Sequence, residues 1–335
     1  MATALALAER GERVVLFERD HPGMGSSWAG AGILYPLLPW DYPSDVLRWC
    51  LAGIRAYPGW VERLQRLSGV DVEYRVSGLR VVSPPAAHDD TPKATAWLDS
   101  HAQHWQAMPD GLLLPDVAQV RNPRLVEALR LACLERGVEL RSQSPVESLQ
   151  TNDHSVLALH TRDGVFACDA LVVCAGAWSG ELAGLPPRTV WPVRGQMLAL
   201  QGKPDQCPII YQGGKYIVPR ADGVVLVGAT LEDVGFDAST TASAASALLA
   251  WAHERRPDLV SAPTLRHWAG LRPGSAGNRP LVGRHPRWHN VWLNCGHYRY
   301  GVTMAPACAS ALAIDMLENP EAKHDAACRL APSDE

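Results

Sequence analysis

A short apolar run that enters a glycine turn constrains the fold of this chain more than any other feature of its sequence. The run occupies residues 170–176, and a second apolar run at 291–294 leads into another glycine-flanked turn at 296–301. Strands that lack polar alternation are buried on both faces, which is typical of parallel sheets covered by helices. The sequence therefore predicts an α/β fold.

The remaining segments predict a second, antiparallel element. Apolar periodicity predicts helices over 44–68, 122–136, 240–254 and 303–317, whereas 189–232 contains successive short strands separated by Gly-Gly and Asp-Gly turns. Because the parallel-type pieces are scattered along the chain, we expect two discontinuous domains. The expected Rossmann-like nucleotide-binding domain comprises 1–43, 120–188 and 265–320, the antiparallel-sheet substrate domain comprises 44–119 and 189–264, and 321–335 form a polar tail.

A strand near the N-terminus supplies the first chemical clue. Residues 13–18 follow an alanine-rich helix and Gly11, and they end in Glu18. In dinucleotide-binding folds the second strand ends in an acid that hydrogen-bonds the adenosine ribose, ~20 residues after a GxGxxG fingerprint. Taken alone, Glu18 is more readily an ordinary solvated residue at a strand end.

No GxGxxG motif precedes this helix, because the sequence begins with the helix itself. The nucleotide-binding domain is therefore expected to lack its first strand and the backbone N–H groups that would hold a pyrophosphate. We expect a mis-assigned start rather than a true truncation. We also expect the sequence as given to bind a dinucleotide less tightly than a version that includes the missing segment.

Four further segments occur in the order found in one group of flavoenzymes. They are residues 26–36 (SSWAGAGILYP), 172–179 (VVCAGAWS), 216–230 (beginning YIVPR) and 270–301 (containing GLRPG and GHYRYG). The chain resembles the FAD-dependent D-amino-acid oxidase superfamily over essentially its whole length. Within that superfamily it is most similar to the glycine oxidases of thiamine biosynthesis, on the evidence of SSWAG followed by YPLLPW at 35–40.

The resemblance implies FAD as the cofactor. Small residues at 29–32 let the backbone approach the flavin ring, and the N-terminus of the helix near Thr303 would stabilise the anionic reduced flavin. We expect non-covalent binding, since Cys295 and His297 are the only nearby candidates for attachment. The residues expected to contact FAD are Glu18, Arg19, Ser26, Ser27, Ala31, Gly32, Ile33, Val146, Ala175, Gly176, Trp178, His297, Tyr298, Arg299, Tyr300, Gly301, Val302 and Thr303.

The resemblance also implies a substrate with a carboxylate. Arg272 is expected to bind that carboxylate bidentately, because a guanidinium stays charged when it is desolvated. Arg299 is expected on the substrate side, and Tyr216 is expected to donate its hydroxyl. No dedicated catalytic base is predicted. The expected reaction transfers a hydride from the α-carbon of glycine or another small amino acid or secondary amine to FAD. Its products are hydrogen peroxide and an imine, which hydrolyses to an oxo acid and ammonia or supplies the thiazole of thiamine.

Composition excludes several other classes of partner and site. The net charge of -4 argues against nucleic acid, and no apolar run approaches the ~20 residues of a membrane span. Eight cysteines without a CxxC pair favour buried, reduced thiols and a cytoplasmic location. His101 and His104 lack further ligands at metal-binding spacing, so no metal site is predicted. Molecular oxygen is the expected second substrate, and assembly into a homo-oligomer stays open.

Two kinds of alternative remain at this point. A D-amino-acid dehydrogenase, a sarcosine-type oxidase or the oxidase domain of a tRNA-modifying enzyme would share the flavin segments and differ in pocket lining and electron acceptor. A truncated, cofactor-free binding protein is the alternative of a different class, and the missing glycine loop motivates it.

Overall fold

The structure is a computed structural model that describes residues 1–82 and 91–318. Its α-helices are α1 (Ala2–Ala8), α2 (Ser26–Ala29), α3 (Ser44–Ser68), α4 (Thr91–Ser100), α5 (Asn122–Glu135), α6 (Ser179–Leu182), α7 (Ala242–Arg255) and α8 (Gly301–Glu318). Within those described ranges, none of the helices combines the length and the apolarity that crossing a bilayer requires.

The strands alternate with these helices along the chain. They are β1 (Val15–Phe17), β2 (Ile33–Leu34), β3 (Arg75–Val76), β4 (Leu79–Val82), β5 (Gln106–Met108), β6 (Gly111–Leu114), β7 (Ala118–Gln119), β8 (Glu139–Arg141), β9 (Val146–Thr151), β10 (Val156–Thr161), β11 (Gly164–Ala167), β12 (Leu171–Val173), β13 (Trp191–Gln201), β14 (Ile209–Gln212), β15 (Lys215–Pro219), β16 (Val224–Gly228), β17 (Thr264–Gly274), β18 (Leu281–Arg284) and β19 (Val291–Cys295).

An eight-stranded sheet forms the larger layer, in the order β17-β13-β16-β15-β14-β4-β6-β5. Its pairs are antiparallel except for β14 with β4. The long pair β13–β17 sets Val193 opposite Arg272 and Gly195 opposite Gly270. This register decides which side chains share the face of the sheet that carries the site.

The nucleotide-binding side consists of smaller sheets. β1 pairs in parallel with β8, and β12 pairs in parallel with β19, which also pairs with β18. In the described part of the chain the β1–β8 and β12–β19–β18 sheets remain separate. The predicted α/β fold with a large, mostly antiparallel sheet is confirmed.

The helices pack their apolar faces against one another and against the sheets. α1, α3 and α5 pack together through Leu5, Tyr57 and Leu129, and α7 covers the large sheet where Leu248 meets residues such as Ile217. α8 crosses α3 near Gly53, and a Cβ at Gly53 would overlap the carbonyl oxygen of Thr303. The close approach of these two helices therefore depends on glycine at that position.

The sequence-based assignments succeed for the periodic segments and fail for one long strand. The helices predicted at 44–68 and 122–136 are confirmed as α3 and α5. β17 was not predicted, because its glycines, arginines and Pro273 obscure the strand pattern. The domain boundaries stay a prediction, and the pairing of β17 with β13 joins 264–274 to the substrate sheet. The predicted tail at 321–335 lies outside the described residues.

The thiols correct one expectation. Cys50, Cys133, Cys295 and Cys308 are buried as predicted, but Cys174 and Cys207 are exposed and Cys168 is half-buried. Cys174 follows directly after β12 and lines the cavity between the two parts of the fold. Its apolar sequence neighbours therefore did not indicate its exposure.

The contact between α3 and α8 gives the first testable prediction. Gly53→Ala should lower the free energy of unfolding by about 1–3 kcal/mol, because the added methyl must push the two helices apart. Urea unfolding followed by circular dichroism measures this change. Gly59→Ala on the same helix is the matched control, since its Cβ would meet no atom within 4 Å. Equal effects of the two substitutions would contradict the packing explanation.

Candidate functional site

A cavity of about 620 Å³ lies where the two parts of the fold meet. Its wall includes residues 26–33, Gly176, the face of the large sheet at Gly195 and Tyr216, and residues 297–302. Segments far apart in sequence thus enclose one space. Across the residues that the structure describes, neither Asp nor Glu lines this cavity.

Backbone hydrogen bonds hold the segment 26–33 against the wall of the cavity. The Asn122 side chain donates to the Ser27 carbonyl at 2.6 Å, and the Val120 N–H donates to the Gly32 carbonyl at 2.9 Å. Gly32 has φ +71°, and a Cβ there would overlap the Val120 carbonyl oxygen. The sequence needs glycine here both for the left-handed backbone and for the close approach. The result is a cavity wall built largely from small residues.

A buried arginine that sequence reasoning missed fixes the same segment. Arg220 is only 4% exposed, and its guanidinium donates to Ala31 O at 2.8 Å, Val120 O at 2.9 Å and Gln119 Oε1 at 2.6 Å. Burial lowers the pKa of Arg220 to about 10, so the group stays protonated at neutral pH. Its only sequence signal is an arginine directly after the apolar strand β15. Arg220 ties the substrate sheet to the wall of the cavity.

The loop before α8 supplies the opposite wall. Gly296 and Tyr298 both have positive φ, and the Tyr298 N–H donates to the Pro273 carbonyl at 2.9 Å. α8 begins at Gly301, beside the cavity, and the Thr303 hydroxyl donates to the Ile33 carbonyl at 3.2 Å. The first N–H groups of a helix have no partners within it, and they carry partial positive charge. This end of α8 therefore favours negative charge in the cavity.

Arg272 and Tyr216 meet on the sheet face of the cavity. The Arg272 guanidinium lies over Gly195, where any Cβ would overlap it, and Nη1 donates to the Thr230 carbonyl at 3.2 Å. The Tyr216 hydroxyl donates to Met197 Sδ at 3.6 Å, and the Arg272 guanidinium lies near enough to act on it electrostatically. Burial raises the pKa of Tyr216, and the nearby guanidinium acts in the opposite direction. Tyr216 is therefore a neutral hydrogen-bonding group beside a fixed positive charge.

Most of the predicted site residues share this cavity. Its lining includes Tyr216, Arg272, Ser26, Ser27, Ala31, Gly32, Ile33, Gly176, His297, Tyr298, Arg299, Tyr300, Gly301 and Val302. The others lie outside the lining. Val146 is on β9, Ala175 and Trp178 flank the turn after β12, and Thr303 is buried in α8.

Glu18 and Arg19 lie at the carboxyl end of β1. Glu18 is half-buried there, and its Oε1 accepts a hydrogen bond from the Asp20 N–H at 3.0 Å. The Arg19 guanidinium stacks 3.2 Å from the centre of the Trp178 ring. A strand end of this kind is where dinucleotide folds place the acid for the ribose, so the roles of these residues stay predictions.

The lining fits the FAD that the sequence implies. A Cβ at Gly176 would point into open space, with Ser26 Oγ as its nearest neighbour at 4.0 Å. The acid-free wall, the α8 N-terminus and the small residues at 29–32 suit an anionic group with a flat ring. Burial raises the pKa of the Cys295 thiol to about 12 and lowers that of His297 to about 4. The Cys295 side chain is therefore a protonated thiol and a poor nucleophile, which supports non-covalent binding at this residue.

Comparison with known proteins agrees with this geometry. Residues 1–313 match the sequence profile of the DAO family, described as FAD dependent oxidoreductase. A glycine oxidase from Pseudomonas putida is 38% identical, with 96% of this chain and 92% of that protein covered. A bifunctional protein ThiO/ThiG from Synechocystis is 33% identical, and the match covers 95% of this chain and 49% of that protein.

A solved structure shows the same architecture. The crystal structure of glycine oxidase from Geobacillus kaustophilus superimposes with a TM-score of 0.89 at 27% sequence identity. The match covers 97% of this chain and 93% of that one. Both the nucleotide-binding part and the substrate sheet therefore have counterparts in the solved protein.

The role of Arg220 can be tested directly. Arg220→Met leaves three buried acceptors unpaired, so the free energy of unfolding should fall by about 2–4 kcal/mol. FAD affinity, measured by titrating apoprotein with FAD, should fall by about tenfold or more, because Ala31 loses its anchor. Arg66→Met, at an exposed arginine on α3, should change stability by less than about 0.5 kcal/mol. Unchanged FAD affinity in Arg220→Met would contradict the anchoring role.

Proposed function

The chain belongs to the DAO family of FAD-dependent oxidoreductases, and from that membership we propose that it oxidises glycine or another small amino acid or secondary amine. The observation that carries the proposal is Arg272, a half-buried guanidinium on the floor of an acid-free cavity. A fixed positive charge of this kind needs an anionic partner, and the carboxylate of an amino acid is the matching group. The glycine oxidases among its relatives support this choice of substrate.

Arg272 would bind and orient the carboxylate. Its fork geometry matches two carboxylate oxygens, and Gly195 leaves room for the guanidinium to lie flat. Tyr216 would add a hydroxyl donor on the same side. These contacts would hold the α-carbon at a constant position relative to residues 29–32, which is the main contribution that positioning makes to catalysis.

The same charges would keep the amine ready for oxidation. An ammonium group is disfavoured beside two guanidinium groups, and no carboxylate in the described lining can stabilise it. The substrate nitrogen would therefore lose its proton on binding, so a dedicated base is not required. FAD, when bound, supplies the hydride acceptor that no side chain provides and passes the electron pair to molecular oxygen, which gives hydrogen peroxide.

The carbon product would be an imine. Water would hydrolyse it to an oxo acid and ammonia, which for glycine gives glyoxylate. We propose that in the cell this imine also supplies the thiazole moiety of thiamine. The bifunctional ThiO/ThiG relative supports that role, because the chain matches about half of that protein.

Substitution of Arg272 tests the substrate assignment. Arg272→Ala should raise KM for glycine and lower kcat/KM by about 30- to 1000-fold, because a charge-assisted bidentate contact is lost. Arg272→Lys should recover only part of this loss, since a point charge cannot make the fork. A simple amine without a carboxylate should be affected little. Steady-state kinetics with glycine, sarcosine and such an amine measure all three effects.

The matched control is Arg66→Ala, which removes an exposed arginine from α3, away from the cavity lining. It should leave kcat/KM for glycine within about twofold of the wild-type value. An equal loss for all substrates in Arg272→Ala, together with a changed flavin spectrum, would show that Arg272 holds the fold or the flavin. The amino-acid assignment would then lose its main support.

The mode of FAD binding gives a separate prediction. Acid precipitation of the FAD-loaded protein should release yellow FAD into the supernatant, because the Cys295 thiol is protonated in the cavity and is a poor nucleophile. Absorbance of the supernatant and of the redissolved pellet measures the two fractions. Flavin that stays in the pellet would refute non-covalent binding.

A further inference from the structure

Arg299 carries a positive charge that no carboxylate of the described residues pairs. Several other arginines form ion pairs: Arg194 with Glu232 and Asp237, and Arg256 with Asp205 and Asp258, for example. For Arg299 the structure gives a backbone hydrogen bond to Asn278 Oδ1 at 3.2 Å and a ring contact with Tyr298. Its guanidinium is thus held near the cavity without an acidic partner in the described ranges.

The two unpaired guanidinium groups occupy different depths of one site. Arg272 is half-buried over Gly195, whereas Arg299 is exposed and lies in the loop before α8. Both line the cavity, and both are close enough to the Tyr216 hydroxyl to act on its pKa. Lys215 lines the cavity as well, and it too forms no ion pair with the acids that the structure describes. The substrate end of the cavity therefore holds more positive charge than a single carboxylate can neutralise.

We propose that the site takes amino acids that carry a second anionic group, with Arg272 binding the α-carboxylate and Arg299 binding the second anion. This inference rests on the proposed function, because it uses Arg272 as the first anion site. Glycine would neutralise one guanidinium and leave the other unpaired. A second anionic group within reach of Arg299 would neutralise both, and the exposure of Arg299 provides room for the added group.

The reaction balances for a substrate with one carboxymethyl group on each side of the nitrogen. A hydride leaves one α-carbon and a proton leaves the nitrogen, so that a C=N bond forms. Water adds to that bond and the C–N bond breaks, which yields glyoxylate and glycine. The electron pair reduces molecular oxygen to hydrogen peroxide, the acceptor already required by the proposed function. An anion on the side chain instead, as in D-aspartate, would yield a dicarboxylic oxo acid and ammonia.

Pairs of substrates that differ only in charge test the proposal. Iminodiacetate is compared with its monoamide, and D-aspartate with D-asparagine, so that the second anion is examined on nitrogen and on carbon separately. The wild-type protein should favour at least one of the two anionic members by about tenfold or more in kcat/KM. Arg299→Gln should reduce that ratio to about one, and Arg299→Lys should restore part of it.

The binding of a non-reacting dianion tests the role of Arg299 without requiring the protein to turn over a substrate. Calorimetry on the FAD-loaded protein should show malonate binding about tenfold or more tighter than malonic acid monoamide, and Arg299→Gln should abolish the difference. The matched control is Arg55→Gln, which removes one positive charge from the exposed face of α3, away from the cavity lining. Arg55→Gln should leave unchanged both the kcat/KM ratio within each substrate pair and the affinity ratio of malonate to its monoamide. A drop in Arg55→Gln would indicate a general effect of net charge and would overturn the assignment to Arg299.

Failure of this inference can be told apart from failure of the proposed function. Oxidation of glycine that depends on Arg272, without any preference for the anionic member of either pair, would overturn only the second anion site. A preference that survives in Arg299→Gln and Arg299→Lys would overturn the role of Arg299. Absence of oxidation for every amino acid, or glycine oxidation unaffected in Arg272→Ala, would instead contradict the proposed function.

Discussion

The pairing of β13 with β17 is the interaction on which the site depends. It joins segments about 75 residues apart, and its register puts Gly195 beneath the Arg272 guanidinium. A shift by one residue would turn every side chain of one strand to the other face, and the charge would leave the cavity. The ladder hydrogen bonds of two eleven-residue strands resist such a shift. Precise placement of one charge is thus obtained from backbone pairing rather than from an opposing acid.

The cofactor side is held in a comparable way by polar contacts with backbone atoms. Arg220 donates to the carbonyls of Ala31 and Val120, and Asn122 donates to that of Ser27. Backbone carbonyls satisfy a buried guanidinium without neutralising it, so its charge persists behind the wall of the cavity. The segment that faces the flavin can consist of small residues because its support comes from behind. The backbone of this segment can therefore approach the flavin closely while the segment itself stays fixed.

Both the cofactor half and the substrate half of the cavity have a positive electrostatic potential. The α8 N-terminus, Arg272 and Arg299 all favour negative charge, and the described lining contains no acid. An anionic cofactor and an anionic substrate therefore both gain from the same surroundings, while an ammonium group is disfavoured. The same distribution that would bind the carboxylate would help the nitrogen to lose its proton. Binding and preparation for hydride loss are two effects of one arrangement of charge.

The sequence by itself determined the α/β class, the long helices, the family and part of the cavity lining, because these depend on local periodicity and on short motifs such as residues 26–36. Only the tertiary structure decided which charges are left without partners. The sequence contains many arginines, and nothing local distinguishes Arg220, satisfied by carbonyls, from Arg194, paired with Glu232. Pairing depends on strands and loops brought together from distant parts of the chain, and those distances exist only in the folded molecule.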